Sequence, residues 1–239
     1  MHHSIVTIGW VHLFWLLPPV LIVIGIFARW RIGGANALYA LGRMLLQLTL
    51  IGYVLIFIFR AESGSIVLGV LGVMLGFAAW IALRTVPKRR RGLFPLGLGA
   101  IAAGGGATLL LVTQGVLHLH PWYRPDYMIP LAGMVFANGM NSVSLAAERY
   151  FSEIEEGARW AEARNRAMHA AMIPVLNALF AVGLVSLPGM MTGQILSGVS
   201  PLIAVRYQIM VMLMIFSAAG ISTALFLAFL RRARMHEAA

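Results

Sequence analysis

The chain has no cysteine. Disulfides, thiolate metal ligands and thiol nucleophiles are therefore excluded together. Charge is scarce as well. Asp, Glu, Lys and Arg make up 11% of the 239 residues, and only eight of them are acidic. No pair of carboxylates falls inside an apolar stretch, so no acid–base pair and no hard-cation cage can be assembled there. Hydrolase signatures are missing too. The sequence holds no G-x-x-x-x-G-K-[ST], no G-x-S-x-G and no H-E-x-x-H. If transport is powered by ATP, the ATPase is another chain.

What the chain does have is hydrocarbon. Its composition is 60% hydrophobic, and several apolar runs reach about 18 residues, the length that marks membrane helices. The expected fold is an all-α polytopic membrane protein with about seven transmembrane helices, one domain over 1–239. The formal net charge is +10. Its basic residues lie in short loops between apolar runs, which points to membrane topology and away from nucleic acid. Met1-His-His-Ser4 is too short to be a clear tag. The apolar run after it shows no A-x-A cleavage site and is read as a retained helix.

The expected spans run from about Trp10 to Ala28, Ala37 to Phe59, Ser65 to Leu83, Leu93 to Leu117, Tyr127 to Ala147, from near Ala170 onward, and from about Gln208 to Leu230. Pro18-Pro19 should kink the first. Arg60 and Glu62 close the second. Gly104-Gly-Gly106 in the fourth permits close approach to a neighbouring backbone. The fifth is the most polar of the first five, with Gly133, Asn138, Gly139, Asn141 and Ser142. Sorting the 18 Lys and Arg residues by this alternation puts fifteen in the loops at 29–43, 84–91, 149–166 and 231–234. Only Arg60, Arg124 and Arg206 fall on the other side. The bias places the N-terminus outside and the C-terminus in the cytoplasm of a multi-pass plasma (inner) membrane protein.

Gly183-Leu-Val-Ser-Leu-Pro-Gly-Met-Met-Thr-Gly193 stands out within the sixth apolar segment. Backbone freed by its glycines and Pro188 has to be shielded by protein or line a wet cavity. Ser186, Pro188, Met190, Met191 and Thr192 read as a pathway lining or, equally, as a close-packed Gly-Pro kink filled by methionine. On this reading the run starts near the cytoplasmic side and ascends. Arg43 and Gln47, one turn apart in the second span, either snorkel to the interface or pack against spans five and six, where Asn138, Asn141 and Asn177 offer acceptors. In the last span Gln208 accompanies Met210, Met212 and Met214. Spaced two apart, those methionines share no helix face and form no single ligand cluster. Thioethers suit soft ions, so any metal would be passed on loosely and not held in a tight site. His118 and His120, with Asp126 nearby, read as a solvated interfacial loop before they read as metal ligands.

The segment from about 148 to 169 holds five of the eight acids and four arginines. It reads as a short cytoplasmic helix, a turn at Gly157 and a re-entry helix, supported by the Glu162–Arg166 spacing. Docking to a protein partner and a merely solvated helical loop both fit. Mixed charge favours a protein over anionic lipid as the partner of this segment.

Several pieces resemble one known family in order and spacing. They are Gly42-Arg43 with Gln47 and Gly52-Tyr53; Ile129-Pro130 with Gly133-Met134 and Asn138; Ala171-Met-Ile-Pro174 with Asn177; the Gly183–Gly193 run; and Arg206-Tyr-Gln-Ile-Met210. The chain resembles the permease subunits of an iron-export ABC transporter family, with relatives linked to plant aluminium tolerance. The resemblance implies a transmembrane permease domain, a homodimer, a role in metal ion export and iron homeostasis, and a separate cytoplasmic ABC ATPase carrying ATP and Mg. It makes Glu153, Glu155, Glu156, Gly157, Ala158 and Arg159 the ATPase-coupling residues. Members of the family have a longer coupling segment with a Gly-Ala-Thr-Pro turn, whereas Gly157-Ala158 here is followed by Arg159-Trp160. That departure leaves an ATPase-independent channel or secondary transporter open as the alternative. A static scaffold or sensor fits less well, since an anchor gains nothing from a broken helix.

Overall fold

The computed structural model describes residues 8–58 and 63–237. Among these residues the regular elements are helical throughout, and the chain forms two compact units, 1–61 and 62–239. Phe59, Arg60 and Glu62, where the sequence closes the second span, lie outside the described residues.

In the N-terminal unit a 3-10 stretch, Trp10–Leu16, leads into α1, Leu17–Arg29. The Pro18-Pro19 pair expected at mid-helix falls in the first turn of α1. A first-turn proline lacks an N–H that would have no partner anyway, so the chain changes pitch just before the pair and starts a regular helix at it. α2, Gly34–Ile58, packs on α1. Neither helix buries a residue.

The second unit contains α3 (Gly64–Ala82), α4 (Arg90–Leu110, continued by a π-helical stretch Leu111–Val116), α5 (Pro125–Glu155), α6 (Trp160–Ala181), the short α7 (Gly189–Leu196) and α8 (Pro201–Glu237). The long helices alternate in direction. Gly64 at the start of α3 lies beside Trp122 and Tyr123, just before α5. At the other end Arg89 pairs with Glu155 at 3.8 Å, and the Arg231 guanidinium sits 4.8 Å from the Trp160 ring centre. One end of the bundle therefore gathers residues 84–91, the α5–α6 turn and the end of the α8 span. This is the arginine-rich end.

Six helices among the described residues are long and apolar enough to cross a membrane: α1 with the turn before it, α2, α3, α4, α5 and α8. α6 is not among them, because Glu162, Arg164, Arg166 and His169 occupy its first half. Its 22 residues still extend roughly 33 Å at the α-helical rise, from the arginine-rich end to the opposite one.

α8 is the central packing element, lying against α4, α5 and α6. Two of the three consecutive glycines in α4 permit this. A Cβ at Gly104 would stand 2.6 Å from both the backbone N and Oγ of Ser222 on α8, and one at Gly105 would stand 2.9 Å from Val135 on α5. The expected close approach occurs at these two positions. Gly106 meets nothing within 4 Å.

The sixth apolar segment departs most from expectation. It is no single broken membrane helix. α6 stops at Ala181, Gly183 takes a positive φ of 84°, and a compact turn follows in which Gly183 N–H donates to Ser186 O at 3.0 Å. Pro188 then caps α7. The Gly183–Gly193 run is thus a turn and a short helix at the end opposite the arginines. The idea that it ascends from the arginine-rich side is corrected: α6 makes that ascent, and the run follows it.

Candidate translocation site

α5 and α6 face each other through matched helical rows. On α5, Asn138, Asn141, Ser142 and Leu145 recur at the spacing of one helix face. On α6, Ala171, Pro174, Val175 and Ala178 do the same. The α6 row is made of small or branched residues and the ring of Pro174, so the surfaces do not close. With Met212 and Ile215 of α8 they border a partly open cavity of about 160 Å³, in which only Ser142, Ala171 and Val175 are buried. That is the size of a small solute or an ion with part of its water shell.

The cavity lies near the middle of α5, and its polar groups all come from that helix. Asn138 Nδ2 donates to the Met134 carbonyl at 2.8 Å, which fixes the amide. Ser142 is buried. Amide and hydroxyl oxygens here present ligand atoms without fixed charge. Pro174 has no N–H to give to the preceding turn, so the carbonyl of Ala170 loses its usual helical partner beside this space. The lining can therefore accept hydrogen bonds or weak coordination and bind a passing ligand loosely.

At the arginine-rich end, α5 and α6 are joined by Glu156, Gly157, Ala158 and Arg159 alone. Gly157, at φ 88°, closes α5. Its N–H donates to Ile154 O at 3.1 Å, and Ala158 N–H donates to Glu153 O at 2.9 Å, the paired bonds of a left-handed glycine cap. The expected separate cytoplasmic helix is absent here, since its residues extend α5 and begin α6. Glu153, only 1% exposed, is held from both helices: it pairs with Arg149 one turn earlier and accepts from Arg166 Nη1 at 2.5 Å. Glu155 and Glu156 are exposed and line a groove of about 760 Å³ with Lys88, Arg89 and Glu148.

The remaining sequence candidates are scattered. Of the pathway residues, only Asn138 lines the mid-span cavity. Asn177 is exposed on α6. Ser186 and Pro188 belong to the turn after α6, while Met190, Met191 and Thr192 belong to α7, where Thr192 Oγ1 donates back to Pro188 O at 3.1 Å. Gln208 is buried in α8, and among the described residues its Oε1 has no hydrogen-bond partner. Arg43 and Gln47 lie in the N-terminal unit. With the Gln47 amide oriented by its neighbour, its oxygen accepts from Arg43 Nη2 and Nε at 3.3 and 3.2 Å. Asp126, beside the His118-Leu-His120 loop, accepts from Arg124 at 3.2 and 2.6 Å. That hydrogen bond is the main reason the Arg124 guanidinium is held above its ordinary pKa. Among the described residues no three His, Asp or Glu side chains gather to hold a metal ion. Asn141, Ser142, Pro174 and Met212 were not singled out as pathway residues. The signal for the first two was available: with Asn138 they fall at i, i+3 and i+4.

Comparison with known proteins agrees with this architecture. A membrane protein of Synechocystis, named UPF0014 membrane protein slr1647, is 37% identical, with 93% of this chain and 92% of the relative aligned. The Escherichia coli protein named "Probable iron export permease protein FetB" is 35% identical over 79% of this chain and 77% of its own length. The Arabidopsis thaliana protein ALUMINUM SENSITIVE 3 is 37% identical over 78% and 72%. No solved structure matches. The family model described as "Uncharacterised protein family (UPF0014)" matches residues 10–235, and the chain, a multi-pass membrane protein, belongs to that family.

Proposed function

We propose that this protein is the permease subunit of an ABC transporter and exports a metal ion of the iron type or a small solute. It works as a homodimer in the plasma (inner) membrane, with its N-terminus outside and its C-terminus in the cytoplasm. A separate cytoplasmic ATPase binds the ATP and Mg. The observation that carries this reading is the cavity between α5, α6 and α8, where Asn138, Asn141 and Ser142 stand among apolar residues near mid-span. A bundle built only to anchor has no use for amides and a hydroxyl at that depth, where polar groups facing hydrocarbon lower stability. The name of the Escherichia coli relative supports the cargo class. In this reading the groove bordered by Lys88, Arg89, Glu148, Glu155 and Glu156, with charges of both signs, receives the ATPase.

Reconstitution with the ATPase from the same source tests the proposal. The expected result is stable co-purification and ferrous-ion flux in proteoliposomes that requires ATP. Failure to associate with any such ATPase would overturn it. A second reading is favoured by one observation: the α5–α6 connection is four residues and contains no separate docking helix. An ATPase-independent channel or secondary transporter fits that geometry, and full flux on an ion gradient alone would establish it.

A further inference from the structure

We infer that the cleft between α6 and the end of the α8 span is a binding site for an anionic phospholipid of the adjoining leaflet. The cleft measures about 680 Å³. Its mouth is set by Trp160, Arg164, Arg231 and Arg232, and its floor by Met168 and Leu227, with Ala224 and Ala228 beside them. From Arg232 to Ala224 the cleft follows α8 for roughly 12 Å toward the membrane interior. It is cationic at the bundle end and apolar along its depth, the distribution of a phospholipid headgroup followed by its acyl chain.

The charges are positioned, and among the described residues they have no internal counter-charge. Arg164 and Arg231 lie 4.7 and 4.8 Å from the Trp160 ring centre, and Arg164 Nε and Nη2 also donate to Asn165 Oδ1 at 3.0 and 2.8 Å. No acidic side chain among the described residues lines the cleft. Among the described residues none of its three arginines forms an ion pair, whereas Arg89, Arg149 and Arg166 at the same end all pair with glutamates. The α5–α6 turn thus has ion pairs of its own, and the α6–α8 cleft is left to an outside anion. Trp160 supplies the amphipathic ring typical of the membrane interface. Basic pockets between membrane helices recognise anionic headgroups in this way. Inorganic phosphate would leave the apolar floor empty, and a soluble peptide would have to enter the hydrocarbon layer to reach Ala224.

The test uses the full chain purified in detergent and presented with phosphatidylglycerol, phosphatidylcholine or inorganic phosphate, with bound molecules counted by native mass spectrometry. Phosphatidylglycerol should be retained in clear preference to phosphatidylcholine. Arg232→Gln should reduce that retention about fivefold, and adding Arg231→Gln should reduce it about fivefold again. Both side chains are exposed, so the variants should fold. Ala228→Phe, at an exposed position, fills the floor and leaves every arginine in place. It should also abolish phosphatidylglycerol retention. Equal retention of the two lipids overturns the inference. So does displacement of phosphatidylglycerol by inorganic phosphate, or unchanged lipid retention in the arginine variants with loss of a co-purifying ATPase.

Discussion

Glu153 on α5 accepts a 2.5 Å hydrogen bond from Arg166 on α6, and the glutamate is buried while the arginine is half exposed. The pair locks the two walls of the cavity at one end. Its asymmetry sets the outcome of mutation. Replacing Glu153 by Gln frees Arg149 and Arg166 to turn toward water. Replacing Arg166 by Gln leaves a buried carboxylate with Arg149 alone. The expected order is that Arg166→Gln destabilises more, by about 2 kcal/mol, and that Glu153→Gln recovers part of the loss in the double variant. A double-mutant cycle on detergent unfolding checks this. Additive effects would mean the pair is a surface contact only.

The crossing of α4 and α8 at Gly104 and Ser222 is too tight for any side chain. Gly104→Ala places its methyl 2.6 Å from the backbone N of Ser222, and backbone cannot rotate away as a side chain can. The cost is about 2–3 kcal/mol of overpacking. Gly106→Ala, with open space around it, should be neutral or slightly stabilising through helix propensity. Thermal unfolding of the two variants under the same conditions decides the matter, since two alanines two residues apart differ only in what they touch.

The helices were legible where apolar content is continuous, and misread where it is continuous for the wrong reason. α3, α4 and the core of α5 follow their hydrophobic runs. α8 was expected from about Gln208 but starts at Pro201, a first-turn proline that is itself a helix-start signal. Hydropathy carries no record of φ. Residues 170–196 are apolar enough to suggest one span, yet a single left-handed glycine at 183 ends the helix and turns the chain. Burial of a single carboxylate among three was equally hidden. Glu153, Glu155 and Glu156 look alike in sequence, and only the packing of α6 on α5 separates the buried one from its exposed neighbours. The cavity was half legible: Asn138 was visible as a polar residue in a span, but its partners come from α6 and α8, and no local pattern reports which helices meet.

Two substitutions distinguish the cavity from the Gly183 run as the transport path. Asn141→Leu removes an amide from the cavity and fills part of it. Transport by the reconstituted protein should fall by about tenfold, the loss expected for one ligand hydrogen bond and some blocked volume. Pro188→Ala, the change the sequence alone would select, alters a turn away from the cavity. It should leave transport close to wild type if cargo passes between α5 and α6. Ferrous-ion flux at matched protein amounts reads both. Impaired flux in Pro188→Ala with normal flux in Asn141→Leu would return the pathway to the Gly183–Gly193 run.

Gly157 has a conformational duty with no side-chain neighbour, which makes it a clean probe of the turn. At φ 88° an alanine is strained whatever the available space, and nothing lies within 4 Å of its added methyl. Gly157→Ala should therefore cost only about 1 kcal/mol of stability and leave the cavity intact. The strain would be relieved by reorienting Ala158 and Arg159, next to the groove bordered by Glu155 and Glu156. If that groove receives the ATPase, stimulation of ATP hydrolysis should drop well beyond the small loss of stability, and Glu155→Gln with Glu156→Gln should reproduce the drop without altering the turn. Measuring ATPase stimulation beside thermal unfolding separates the two effects. A turn that serves only as a connector would change stability in Gly157→Ala, leave stimulation untouched and show no response to the glutamate changes.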